Sequence, residues 1–416
     1  MTSSVFKWSG RIDRMVPRPA FGGIGGDFTR MRSLTELDFE QGPIRPPSEA
    51  YSLLLRLTRN CPWNRCEFCH TYKGQPFSLR TVEEVKRDID VVREIVSEVK
   101  ALSWQRGFGG EITTPLVNLI LQRPQHSPDG FRSAILWLYT GGKNVFLQDG
   151  NNLILKTGDL IEILTYLKET FPSVERITSY ARAQTVSKKT VEELRDLCRA
   201  GLSRIHIGLE SGYDPLLEYM KKGVTALEHV DAGRKVKASG ISLSEYVILG
   251  LGGKGMWRDH AIGTASVLNQ INPDFIRVRT LKVLKTMSLY QKVEKGEFTL
   301  LNDDEIVVEE RLLIETLDRI SSAFVSDHIL NLLEEVEGRF PEGKEKMLAL
   351  IDRYLSLPVE EKANFRLGRR AGVYHSVDDL SNLELRGQVE NALRRIEVER
   401  PGGFENVISD LMESFI

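Results

Sequence analysis

From Tyr51 onward, short apolar runs alternate with stretches whose apolar residues recur at helical spacing. This alternation is the feature that most limits the fold. Strands are expected at 51–58, 143–148, 176–180, 203–209, 242–249 and 275–283. Helices are expected between them at 81–99, 157–170, 188–200, 215–221, 228–238 and 260–270. Thr81 followed by Glu84 supplies the capping-box signature for the first helix. A strand that returns to its sheet through a helix lies parallel to the strand before it, so the pattern implies one parallel sheet with crossover helices. Six such units fall short of a closed eightfold barrel and predict an open or partial (βα)6 barrel in the α/β class.

Three regions stand outside the rhythm. Residues 102–140 carry Trp104, a cluster of glycines from Gly107 to Gly110, Pro115, Pro124 and Trp137. They form an insertion between the first helix and the second strand, expected near the barrel mouth. Residues 1–50 are rich in Gly, Pro and Arg and predict an irregular N-terminal extension. Beyond the core, helical spacing dominates at 305–325, 327–337, 344–355 and 383–398. The expected division is an extension at 1–50, a core barrel at 51–300 and a helical C-terminal region at 301–416.

The chain has 416 residues, of which 41% are hydrophobic and 27% charged, enough for a large core. A net charge of −2 gives no general reason to bind nucleic acid. The first residues lack the apolar centre of a signal peptide, and no apolar run approaches the ~18 residues of a membrane span. A cytoplasmic location is expected.

Of four cysteines, Cys61, Cys66 and Cys69 fall together just after the first strand, while Cys198 stands alone on an apolar helical face and reads as a core residue. This is not a disulfide framework. Thiolates are soft ligands for zinc or iron–sulfur centres. Three of them permit either a structural zinc completed by His70 or a ligand from elsewhere, or an iron–sulfur cluster with one open corner.

The loop Cys61-Pro-Trp-Asn-Arg-Cys66-Glu-Phe-Cys69 resembles that of the radical S-adenosylmethionine (radical SAM) superfamily. Phe68 supplies the aromatic before the last cysteine. The first spacing departs from the usual pattern, with four intervening residues instead of three. The resemblance continues at later strand ends and is nearest to the oxygen-independent coproporphyrinogen oxidase and elongator-like branch. It covers about 51–296.

The resemblance implies a partial (βα)6 TIM-like barrel with a 4Fe-4S cluster on Cys61, Cys66 and Cys69, and S-adenosylmethionine as second cofactor. The cofactor would be met by Phe68, by Gln148, Asp149, Gly150 and Asn151 after the second strand, by Glu210 and Ser211 after the fourth, and by Gly250 and Gly252 after the fifth. Tyr180 and Arg182 would face cofactor or substrate, and His70 and Lys73 would stand beside the cluster as catalytic candidates. His260 and the pair Asp327 and His328 are candidate acid–base groups whose alternative is a helix cap or a buried hydrogen-bonded histidine. Tyr72 is expected to pack.

The implied chemistry is reductive cleavage of S-adenosylmethionine to methionine and a 5′-deoxyadenosyl radical that abstracts hydrogen from an unidentified substrate. Such an oxygen-sensitive enzyme needs an electron donor such as flavodoxin or ferredoxin. One rival is a radical methyl- or methylthio-transferase on RNA or protein, which ordinarily calls for further clusters or cysteines. Another is a non-catalytic zinc- or cluster-binding barrel.

Overall fold

The structure is a computed structural model that describes residues 37–121 and 128–415. Its centre is an eight-stranded sheet. In spatial order the strands are β1 (Leu53–Arg56), β4 (Asn144–Gln148), β5 (Arg176–Ala181), β6 (Leu202–Glu210), β7 (Ser242–Leu249), β8 (Phe275–Thr280), β9 (Ala323–Val325) and β10 (Gly338–Arg339). Every neighbouring pair from β1 to β9 is parallel, and β10 runs antiparallel to β9. β2 (Thr58–Arg59) and β3 (Ser78–Leu79) form a small antiparallel ladder at the C-terminal end of β1. The expected six strands are all present, in an open α/β barrel.

Alternation along each strand separates two faces. Outward residues such as Leu53, Val145, Ile177, Ile205, Leu243 and Ile276 join the main core against the helices. Inward residues are larger and more polar. Phe146, Tyr180, His206 and Tyr246 meet edge-on or tilted, with centroids 5.2 Å (Phe146 to Tyr180), 5.6 Å (Tyr180 to His206) and 5.4 Å (His206 to Tyr246) apart. At the N-terminal end of the strands the chain before β1 closes the interior. The buried carboxylate of Glu49 accepts from Arg176 at 3.0 Å and from Ser52 at 2.5 Å.

The crossover helices are α1 (Val82–Gln105), α2 (Thr114–Leu121), α3 (Asp129–Tyr139), α4 (Thr157–Thr170), α5 (Ala183–Ser187), α6 (Val191–Arg199), α7 (Asp214–Tyr219), α8 (Ala226–Ser239), α9 (Gly253–Ile271) and α10 (Ser288–Glu294). Thr81, Thr190 and Thr225 each cap a helix with the reciprocal box expected of Thr81. The insertion behaves differently from expectation. Its α3 packs along edge strand β1, and Trp137 meets Phe171 at 5.3 Å, where the chain turns from α4 toward β5. Most of it is therefore an outer flank that covers a sheet edge.

The C-terminal part comprises α11 (Asp303–Thr316), α12 (Lys344–Leu355), α13 (Val359–Arg370), α14 (Leu383–Glu399) and α15 (Phe404–Glu413). Two expectations fail here. The helix expected to reach 325 ends at Thr316, and 323–325 joins the sheet as β9. Residues 327–337 are turns, not a helix. Asn331 explains the second failure: its side chain accepts from Thr280 N–H at 2.8 Å and donates to the Val278 carbonyl at 2.9 Å and to Ser326 Oγ at 3.0 Å. Those bonds tie the segment to β8 and displace helical pairing. Of the N-terminal extension, 1–36 lies outside the described residues.

Candidate active site

The three clustered cysteines sit on the loop that leaves β2, at the C-terminal end of the parallel strands. The long first spacing is absorbed at Asn64, whose φ of 46° is left-handed. Asparagine tolerates that region better than most residues. Its side chain donates to the Tyr72 carbonyl, and its own carbonyl accepts from Lys73 Nζ at 3.2 Å. Lys73 thus braces the loop.

Distant segments fasten the loop from outside. Trp63 Nε1 donates to the Lys221 carbonyl at 2.7 Å, Glu67 N–H to the Met220 carbonyl at 3.0 Å, and Leu289 N–H to the Glu67 carbonyl at 3.0 Å. Phe68 packs on an apolar cluster of Leu216, Met220, Ile248, Leu251, Leu289 and Phe298. Trp63 lies over Gly223, where a Cβ would fall 2.1 Å from the indole.

Cys66 is buried, and Cys61 and Cys69 are half-buried. Burial pushes the Cys66 thiol up, while the charges of Lys222 and Arg182 pull it back. Two cations beside a buried thiol favour its ligating, anionic form. Among the described residues no three His, Cys, Asp or Glu side chains gather as they would around one metal ion. The thiols are not drawn onto a single point. The donor set, three thiols on one loop beside two cations, fits a cubane cluster.

The end of β4 meets the loop directly. Asp149, fully buried with φ of 76°, accepts from Arg56 Nε at 2.6 Å, Tyr72 hydroxyl at 2.7 Å and Asn60 N–H at 3.2 Å. A Cβ on Gly150 would lie 3.8 Å from Cys61 Sγ. Gln148 is turned to other work: its side chain accepts from Gly42 N–H at 2.8 Å and donates to the Gly42 carbonyl at 3.0 Å. Asn151 accepts from Arg182 N–H at 3.0 Å and donates to Thr185 at 2.8 Å, joining the ends of β4 and β5.

Tyr180 stands in the inner aromatic group. Arg182 donates to the Lys222 carbonyl at 2.7 Å and stacks 5.2 Å from Trp63. At the end of β6, Glu210 has φ of 62° and pairs with Lys222 Nζ at 2.8 Å. Gly208 keeps that carboxylate's space open, because a Cβ there would fall 2.1 Å from Glu210 Oε1. Ser211 faces away into the fold, 2.9 Å from His260 Nδ1. His260 is the buried, bonded histidine foreseen, with Nε2 3.0 Å from the Ile248 carbonyl. Gly250, at φ of 82°, donates to Glu309 at 2.7 Å, and Gly252 opens α9 with Met256 atoms 2.8 Å from where its Cβ would be. His70 is half-exposed, its imidazole lowered by burial and by the charge of Arg279.

Glu210, Gly150, Asn151, Tyr180, Arg182, Phe68 and the cysteines therefore gather at one end of the barrel. Ser211 and Gln148 serve the scaffold. Sequence reasoning missed Trp63, Lys222, Glu309 and Arg279, and gave Tyr72 no role beyond packing. Lys222 had a local signal, lying in the Met220-Lys-Lys-Gly223 segment of the resemblance.

The family model of the Radical SAM superfamily matches residues 126–262. A tRNA uridine(34) acetyltransferase of Methanocaldococcus jannaschii is 24% identical over 28% of this chain and 22% of its own length. A tRNA-2-methylthio-N(6)-dimethylallyladenosine synthase of Neisseria meningitidis is 30% identical over 35% of this chain and 32% of its own length. The chain thus spans less than a third of either relative. Among solved structures, coproporphyrinogen III oxidase from Escherichia coli aligns with a TM-score of 0.42 and 14% identity, covering 70% of this chain and 56% of that one. Residues 126–262 of the chain are thus similar to the Radical SAM superfamily.

Proposed function

We propose that the protein is a radical S-adenosylmethionine enzyme whose 4Fe-4S cluster is held by Cys61, Cys66 and Cys69. The observation that carries the reading is the placement of these thiols at the strand ends, beside Gly150 and the Lys222–Glu210 pair, next to a segment matching the superfamily. When bound, the cluster and S-adenosylmethionine supply one-electron cleavage of the sulfonium and a 5′-deoxyadenosyl radical for hydrogen abstraction.

The chain's own residues supply position and shielding. Glu210, on a backbone held in the left-handed region, presents a carboxylate to the cofactor's polar groups, and Lys222 fixes its direction. The apolar cluster under Phe68 keeps water from the loop. Tyr180 and Tyr246 line the interior where a substrate enters. Lys73 acts as a loop brace and His70 as a wall of the same opening. Reduction requires a donor of the flavodoxin or ferredoxin kind. No helix among the described residues is long and apolar enough to cross a membrane, which supports a cytoplasmic setting.

The test is anaerobic reconstitution with iron and sulfide, dithionite reduction, and chromatography for 5′-deoxyadenosine, comparing wild type with Cys66→Ala. Cleavage that depends on Cys66 is expected. A protein that retains one zinc and binds no S-adenosylmethionine overturns the reading. A second reading, methyl or methylthio transfer to RNA, is favoured by the two relatives, both named for tRNA modification. Transfer of label from S-adenosyl-[methyl-³H]methionine to total tRNA separates the two.

A further inference from the structure

Arg279 stands out among the inward residues. The register of β8 on β7 pairs Phe275 with Ser244, Arg277 with Tyr246 and Arg279 with Ile248, so both arginines share the face that carries the inner aromatic group. Ile248 belongs to the apolar cluster on which Phe68 rests, which puts Arg279 at the end of the barrel that carries the cysteines.

Two arginines on one strand meet two consecutive residues of the turn after β9. Arg277 receives a carboxylate, Asp327 Oδ2 at 2.6 Å. Arg279 receives an imidazole, His328 Nε2 at 3.2 Å. Among the described residues no carboxylate pairs with Arg279, which is exposed although it faces inward. Its guanidinium, with five donors and no carboxylate partner, is left open to solvent or to a ligand.

The histidine sharpens the point. Leu330 N–H lies 3.2 Å from His328 Nδ1 and the Arg279 guanidinium 3.2 Å from Nε2, and a neutral ring has one acceptor nitrogen for these two donors. In the tautomer that accepts from Leu330, the ring hydrogen sits on Nε2 and faces the guanidinium of Arg279. There two donors confront each other, and in the other tautomer Leu330 N–H is the donor left without an acceptor. Protonating the ring would not relieve this; burial and the Arg279 charge hold its pKa at about 3. An anionic oxygen lying beside both groups would satisfy them together, the arrangement in which arginine forks and imidazole N–H groups bind carboxylate and phosphate.

We propose that Arg279 and His328 form an oxyanion receptor that holds a carboxylate or phosphate group of the substrate inside the barrel. This rests on the radical enzyme reading for the statement that the ligand is a substrate. The receptor itself is tested apart from turnover.

Isothermal titration of the reconstituted full chain with inorganic phosphate and with succinate, each with and without saturating S-adenosylmethionine, reads the site directly. Saturable binding of one anion per chain is expected, compatible with bound S-adenosylmethionine. Arg279→Gln should weaken it about tenfold or more, the loss of a charge-assisted bond of ~1.5–3 kcal/mol. Arg279→Lys should weaken it less, and Arg319→Gln, at a remote exposed arginine, should leave it unchanged. If Arg279→Gln misfolds by circular dichroism, His328→Phe removes the Nε2–H and serves instead, with weaker binding expected. The proposal is overturned if neither anion saturates, if these variants bind as wild type does, or if S-adenosylmethionine displaces the anion. Anion binding by a wild type that makes no 5′-deoxyadenosine would sink the radical reading and leave the receptor standing; preference for phosphate or succinate identifies the group.

Discussion

The hydroxyl of Tyr72 donates to Asp149 Oδ1 at 2.7 Å, tying the segment after the third cysteine to the end of β4. Tyr72 is almost wholly buried, and the same carboxylate holds Arg56 and Asn60 N–H. Tyr72→Phe keeps the packing and deletes one bond to a charged acceptor, worth ~1.5–3 kcal/mol. The expected outcome is a lower melting temperature and faster loss of iron and sulfide under mild chelation. Equal cluster retention in both proteins would show that this bond does not hold the loop.

Gly223→Ala should be more disruptive. The backbone there has φ of 66°, and the added methyl would strike the Trp63 indole. The left-handed conformation alone costs ~1–2 kcal/mol for a residue with a Cβ. Trp63 must also leave its place and its bond to the Lys221 carbonyl. A shift and broadening of tryptophan fluorescence, with loss of cluster binding, is expected; an unchanged spectrum would refute the contact.

Buried carboxyls on α11 give the protein an alkaline weakness. Burial raises Glu309 and Glu310 to about 8, whereas in the unfolded chain both ionise near the ordinary 4.5. Between those values the native state binds more protons, so stability is highest on the acid side of this window and declines as pH rises through about 8. Glu310→Gln should flatten part of that decline in denaturant melts from pH 5 to 9. An identical slope in the variant would count against it.

Lys222→Met tests the electrostatics of the thiol. Lys222 is the largest of the charges holding Cys66 down against burial. Its removal should move the pH profile of Cys66 alkylation in the cluster-free protein to higher pH, measured site by site by mass spectrometry. A profile that stays put would mean the ammonium is spent wholly on Glu210.

Much of this was written locally in the chain. The six principal strands are apolar runs with regular spacing, and three clustered cysteines declare themselves whatever surrounds them. β9 was hidden because a three-residue strand with one fully buried side chain, Phe324, leaves no period to detect. The partners of the loop were hidden for another reason. Trp63 and Lys221 are 158 residues apart, and nothing near either of them announces the other. Arg277 and Arg279 show the same limit, since their strand was legible while the contrast between an aspartate and a histidine partner arises only when β9 is in place.

The fastening of the cysteine loop to Asp149, Met220, Lys221 and Leu289 also sets an order of assembly. Local sequence alone cannot bring these points together, and contacts so far apart along the chain form only after the loops between them have closed. Iron delivered to a nascent chain would meet three thiols on an unstructured segment. On the proposed reading, iron delivered after the barrel closes meets the thiols on a loop already fastened from outside, so the folded, metal-free protein is the expected recipient of the cluster.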